Sequence, residues 1–296
     1  MNKIIKLSHF NKKYLILLPI ICVTFIGCKY YKKEISVKRV QESDIAKITI
    51  FIHGTNAFPI TNLFQKFIYG PAGISQIMSL NHDCFIHFAL QSISENDPVE
   101  FPIDSFFTYV WSGKLSSKAR EEAALILYNE INKIIETYKN KKIQITLITH
   151  SHGGNVALNL AKVCESENFK IDKLILLACP VQEETKEFAK NKIFKKVYNI
   201  YSLMDSLQVL DPQGIKNRNR GKNCPIFSQR RFELTENIKQ TKVKIDNRSL
   251  MHVEFILPKF LKHLPALIKE MDKLDCQAKY LIKIDKKNEL KAIQEY

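Results

Sequence analysis

Residues 146–156 read Thr-Leu-Ile-Thr-His-Ser-His-Gly-Gly-Asn-Val, an apolar run that stops at a serine between two histidines and continues into a glycine pair. A serine hydroxyl is a weak nucleophile unless a base takes its proton and the developing oxyanion meets fixed donors. A sharp turn from strand to helix meets two of these needs: it lifts the hydroxyl above the sheet and aims helix N-terminal amides at the oxyanion. Gly153 and Gly154 let the helix backbone pack close behind such a turn. His150 and His152 flank Ser151 and cannot easily curl back to its hydroxyl, so the base must come from elsewhere in the chain. Both are expected to line the pocket. Metal chemistry finds no support, because no cysteines have zinc-finger spacing and no His-x-x-x-His pair stands beside a carboxylate.

The elements that must position this serine follow from the pattern of apolar residues. Residues 47–54, Lys-Ile-Thr-Ile-Phe-Ile-His-Gly, form a β-branched run ended by glycine and predict a buried strand. Residues 58–80 are helix-like but broken at Tyr69-Gly-Pro-Ala-Gly73, and 106–113 predict another strand. Residues 117–140 are the clearest helix, with Ser117 as its expected N-cap and glutamates in its early turns. Strands are expected at Lys142–His150, over 171–180 and stopped by Pro180, over 195–202 and, more weakly, over 241–245; helices lie between and after them. Residues 81–105 are read as an edge strand or cap element, 211–231 as a long basic surface loop, and the charged tail from Lys279 as only partly ordered. Strands alternating with helices imply an α/β fold, a mostly parallel sheet of about six strands with helices on both faces. Such sheets bind ligands at the carboxyl ends of their strands.

Thr-His-Ser-His-Gly at 149–153 resembles the nucleophile elbow of the α/β-hydrolase superfamily, usually G-x-S-x-G, with Thr149 where the family prefers glycine. The Trp111-Ser-Gly and Ala-Arg-Glu-Glu-Ala-Ala stretches before the elbow are similar to members with a His-Ser-His-Gly-Gly-Asn elbow. The resemblance runs from about Lys47 to Leu264 and implies a lipase- or esterase-like serine hydrolase without a cofactor. Its chain order of nucleophile, acid and histidine implies Ser151, Asp205 and His252, with Asp211 and Asp246 as rival acids. His252 would carry the proton and Asp205 would hold its tautomer. The His53-Gly54 turn implies an oxyanion hole in which the amide of Thr55 or Asn56 joins that of His152. His263, His82 and His87 are expected to be packed or surface histidines, and Trp111 to line the pocket or simply pack. Thioesterase, amidase and acyltransferase chemistry share this scaffold. A non-catalytic, membrane-tethered binding protein would share it too, but would not react with a fluorophosphonate.

The first 27 residues combine lysines with an apolar stretch, Tyr14–Ile26, that is interrupted by Pro19 and is short for a membrane span. Phe-Ile-Gly-Cys at 25–28 resembles a bacterial lipobox. That implies a signal peptide (1–27), lipidation of Cys28, a tether (28–46), a hydrolase domain (47–296) and a membrane-anchored place in the cell envelope. The cysteines that remain are odd in number and widely spaced, which is no disulfide framework. A net charge of +15 suits anionic surfaces. Six cations without an acid fall between Lys216 and Arg231, where they could meet lipid head groups. No recognition motif accompanies them, so nucleic acid is not an expected partner, and the expected substrate is a small-molecule or lipid ester.

Overall fold

The computed structural model describes residues 44–55, 66–81, 83–164, 168–210 and 227–295. In chain order the elements are β1 (Ile45–Ile52), β2 (Gly73–Gln76), α1 (Phe85–Asn96), β3 (Phe106–Val110), α2 (Ser117–Thr137), β4 (Lys142–His150), α3 (Gly153–Leu158) and α4 (Leu160–Val163). These are followed by β5 (Lys173–Leu177), β6 (Val197–Tyr201), α5 (Leu207–Leu210), β7 (Ile238–Ile245), β8 (Arg248–Ser249), α6 (Pro258–Leu261), α7 (Leu264–Asp272), β9 (Lys279–Ile284) and β10 (Leu290–Glu295).

The strands join in one sheet ordered β2-β3-β1-β4-β5-β6-β7-β9-β10, with β8 folded back on β7. From β3 to β9 every neighbour is parallel, while β2 and β10 close the two edges antiparallel. This is the α/β-hydrolase fold, and its parallel strands bring the carboxyl ends of β1, β4, β5, β6 and β7 to one edge. β4 lies between β1, where Ile52 pairs with Thr149, and β5, where His150 pairs with Leu177.

Both faces of the sheet are covered, which is why its central strands read as continuous apolar runs. Ile48, Ile50 and Ile52 of β1 point to the face packed by α2 and α3, together with Ile145, Leu147, Leu174 and Leu176. Phe51, Ile148, Ile175 and Tyr198 point to the other face, where Ile86, Leu90 and Ile93 of α1 and Leu267 and Met271 of α7 cover them. On α2 the buried residues Ala123, Ala124, Leu127, Ile131 and Ile134 recur every three to four positions, one stripe of a helix.

The six expected strands all form, and four short or peripheral ones extend the sheet. β9 and β10 come from the tail expected to be only partly ordered. Lys279 and Lys283 hid the strand character there, yet Ile282 and Ile284 turn inward beside Val243 and Ile245. Residues 73–76, expected as helix, pair with β3 instead, because Gly70 and Gly73 at positive φ break the helix and turn the chain to the sheet edge. Residues 85–96 form helix α1 rather than an edge strand. The N-cap of α2 is Ser116, not Ser117, and its side chain accepts from the Ala119 amide at 3.4 Å. Among the described residues no helix is long and apolar enough to cross a membrane.

Candidate active site

Ser151 follows the last residue of β4 and precedes α3, with φ +53°, a left-handed conformation that costs a non-glycine residue energy and persists only when its surroundings enforce it. Two backbone bonds do so: the Ser151 amide donates to the Leu177 carbonyl at 2.9 Å, and the Gly154 amide donates to the Ser151 carbonyl at 3.0 Å. Packing does the rest. A Cβ on Gly153 would lie 2.4 Å from the Ile52 carbonyl oxygen, and one on Gly54 would lie 2.6 Å from Ser151 Cβ. The end of β1 therefore presses directly on the serine turn, and only glycines permit that approach. Thr149, in the position where glycine was expected, is fully buried and donates its hydroxyl to the Ile175 carbonyl of β5 at 3.1 Å.

Asp205 lies in the turn beyond β6, and His252 opens a 3-10 turn after β8. His252 Nδ1 stands 2.8 Å from Asp205 Oδ2, and the Asp205 side chain is completely buried. The other carboxylate oxygen accepts from the Gln208 amide at 3.1 Å, and Gln208 Nε2 donates to the Cys179 carbonyl at the end of β5. An ionised carboxylate accepts only, so Nδ1 carries the proton of a neutral His252 and Nε2 is the atom able to take another. The Ser151 hydroxyl itself forms no hydrogen bond among the described residues. Of the rival acids, Asp246 turns away at the β7–β8 hairpin to face Lys259 at 4.0 Å. Asp211 lies outside the described residues.

The two histidines beside Ser151 face opposite ways. His150 is buried on the α1 side, with its ring 4.7 Å from that of His252 and Nε2 3.0 Å from the His252 carbonyl. Burial, reinforced by the neighbouring His252, pushes its pKa well below the ordinary imidazole value. His152 does not line the pocket with its ring as expected. It is buried against α2, where Arg120 approaches its Nδ1 at 3.5 Å and Asn155 at 3.4 Å. Arg120 is itself buried and also donates to Gln182 at 2.9 Å and to Glu184 at 3.4 Å. Thr185 donates to Asn155, whose amide nitrogen donates to the Pro180 carbonyl at 3.0 Å. This polar cluster behind the turn escaped sequence reasoning. Its one signal was an arginine at a position where the period of α2 calls for an apolar residue.

His53 is enclosed at the end of β1. Its Nδ1 donates to the Gly54 carbonyl at 2.7 Å, the Trp111 amide donates to its Nε2 at 3.1 Å, and its ring stacks on Tyr69 at 4.5 Å. Burial lowers its pKa to about 4, with the backbone bonds opposing. Trp111 packs here and donates its indole N–H to the His53 carbonyl at 2.8 Å. Together these bonds fix the loop that continues into Thr55, whose hydroxyl has no partner among the described residues. Asn56, the alternative oxyanion donor, lies outside them, as do Cys28 and His82. His87 is buried on α1, and His263 is buried at the junction of α6 and α7.

Arg230, expected in a head-group-binding loop, bonds instead to the backbone of the turn that carries Asp205. Its guanidinium donates to the carbonyls of Ser202, Leu203 and Asp205 at 3.0, 3.2 and 2.8 Å. Lys216, Arg218, Arg220 and Lys222 of that loop lie outside the described residues. Among those described, no group of three or more His, Cys, Asp and Glu side chains could hold a metal ion.

No curated protein matches the sequence. Among solved structures, the phospholipase PlaB of Legionella pneumophila in complex with thio-NAD is 16% identical over 46% of this chain, with a TM-score of 0.27. The chain spans only 25% of the length of that phospholipase. The Pyrococcus furiosus esterase Pf2001 is 13% identical over 78% of this chain and 83% of its own, with a TM-score of 0.41. An arylesterase is 12% identical over 90% of this chain and 94% of its own, with a TM-score of 0.42. Residues 66–219, more than half of the chain, match the PGAP1-like alpha/beta domain family, and the chain belongs to that family.

Proposed function

We propose that this protein is a serine hydrolase that cleaves carboxylic esters of apolar acyl groups through an acyl-enzyme. The observation that carries the reading is the 2.8 Å bond between a fully buried Asp205 and His252, at the same sheet edge as a serine held at φ +53°. In this reading Ser151 Oγ attacks the ester carbonyl while His252 Nε2 takes its proton. The amides of His152 and Thr55 receive the oxyanion, and collapse of the tetrahedral intermediate expels the alcohol, which takes its proton from His252. Water then repeats the sequence on the acyl-serine, with His252 again as base.

An apolar acyl group suits the rim. Leu203, Met204, Leu207 and Leu210 around Asp205, and Met251 beside His252, are each more than half exposed. Large exposed apolar side chains of this kind, gathered beside polar groups, mark binding surfaces for apolar ligands. We further propose that residues 1–27 form a signal peptide and that lipidated Cys28 tethers the domain to a membrane of the cell envelope, close to lipid esters.

A fluorophosphonate probe tests the chemistry. Folded wild-type protein should be labelled and Ser151→Ala should not; an unlabelled wild type, or a labelled variant, refutes it. Turnover of p-nitrophenyl esters should rise with acyl length over the short chains, and a flat profile would remove the apolar preference. Metabolic lipid labelling of wild type but not of Cys28→Ala tests the tether.

A further inference from the structure

The mechanism above leaves His150 without a task, although among the described residues its imidazole is the one in ring contact with the proposed base. It reaches His252 in two ways, by ring contact at 4.7 Å with the planes tilted at 49°, and through Nε2 at 3.0 Å from the His252 carbonyl. A carbonyl only accepts, so Nε2 carries the proton and Nδ1 does not. Nδ1 is buried and has no partner among the described residues. A ring retained only to fill space would be better replaced by an apolar one, because an orphaned buried nitrogen is destabilising. The imidazole makes sense at this position if its Nε2–H is needed.

The need lies on His252. Asp205 fixes the ring of His252 at Nδ1 but leaves its backbone to the short segment that follows β8, where Met251 is more than half exposed. His150 adjoins Ser151, so a bond from its ring to the His252 carbonyl ties the base segment to the nucleophile turn across 102 residues of sequence. We propose that His150 is a positioning residue that donates from Nε2 to the His252 carbonyl and holds the His252 ring in register with Ser151 and Asp205. This rests on the hydrolase reading and assigns His150 no contact with substrate.

The amide nitrogen of glutamine reproduces the reach of Nε2, that of asparagine reproduces only the reach of Nδ1, and phenylalanine keeps the ring without the donor. If the donor matters, His150→Phe and His150→Asn lower kcat about 100-fold, the loss typical of an ångström-scale misplacement, with KM little changed. His150→Gln then retains most of the activity. The downfield Nδ1–H resonance of the His252–Asp205 pair, followed by NMR in full-length protein, should persist in wild type and His150→Gln and broaden away in His150→Asn. A structural role alone would lower thermal stability without this ordering of kcat or loss of signal. Equal activity of the Gln and Asn variants, or an unchanged resonance in His150→Asn, overturns the proposal even if His150→Phe fails to fold. Should wild-type protein neither react with fluorophosphonate nor turn over esters, the hydrolase reading fails instead.

Discussion

Gly153→Ala tests how tightly the serine turn is seated against β1. The added methyl would stand 2.4 Å from the Ile52 carbonyl oxygen and 2.6 Å from that of His53, where ordinary contact begins near 3.4 Å. Both obstacles are backbone, and that of Ile52 belongs to a strand paired on both sides, so no flexible side-chain end can move away. Relief requires α3 and the turn to withdraw by about 1 Å, and overpacking against rigid surroundings costs about 3 kcal/mol, the upper end of the usual range. For a domain of this size that lowers Tm by roughly 10 °C. The same displacement carries the Ser151 hydroxyl and the His152 amide away from His252 and Thr55, and the expected loss of turnover is about 100-fold. Calorimetry and the rate of fluorophosphonate labelling of Ser151 measure the two effects. A variant that melts within about 2 °C of wild type and labels at the wild-type rate would show that the contact is relieved without moving the turn, and the reasoning would be wrong.

Asp205→Asn should lower kcat by about 10⁴, the size of the tautomer effect, whereas Asp246→Asn, which faces Lys259, should leave ester turnover unchanged; the reverse ranking would move the acid. His53, with its pKa lowered to about 4 by burial, binds its proton less readily folded than unfolded. Stability is therefore complete above the unfolded value near 6.5 and declines by up to about 3 kcal/mol as pH falls from there toward 4. Urea titrations across that range should show a shallower slope in His53→Gln, and an unchanged slope would contradict the assignment. Arg120→Met should destabilise by about 2 kcal/mol rather than the 3–5 kcal/mol expected when a fully buried pair is broken, because Glu184, with 41% of its side chain exposed, can turn to water. Denaturant unfolding measures this, and a loss beyond about 4 kcal/mol would mean that Arg120 holds the His152 turn more strongly than its 3.5 Å contact suggests.

Much of the fold was legible because its signals are local. The β-branched runs of β1, β4 and β5 and the apolar stripe of α2 follow from burial repeated at the period of each element. The elements misread were those whose partners are distant. β2 looked helical until its pairing with β3 was seen, and the lysines of β9 concealed two inward isoleucines that only a neighbouring β7 makes sensible.

At the site, chain order placed Asp205, Asp211 and Asp246 alike between Ser151 and His252, and the structure set Asp205 against His252 while Asp246 sits in a hairpin turn facing Lys259. The orientation of the histidines beside Ser151 was beyond the sequence. The positions on either side of Ser151 send His150 toward the His252 segment and His152 toward Arg120 of α2, and their partners are 102 and 32 residues away. Arg230 likewise read as a surface cation until its three carbonyl partners in the turn around Asp205 appeared. Residue types and their local period thus determined that a serine would stand where a strand gives way to a helix. Only the folded sheet decided what surrounds it, because hydrogen bonds and buried charges depend on which side chains meet through space, and no spacing along the chain records that.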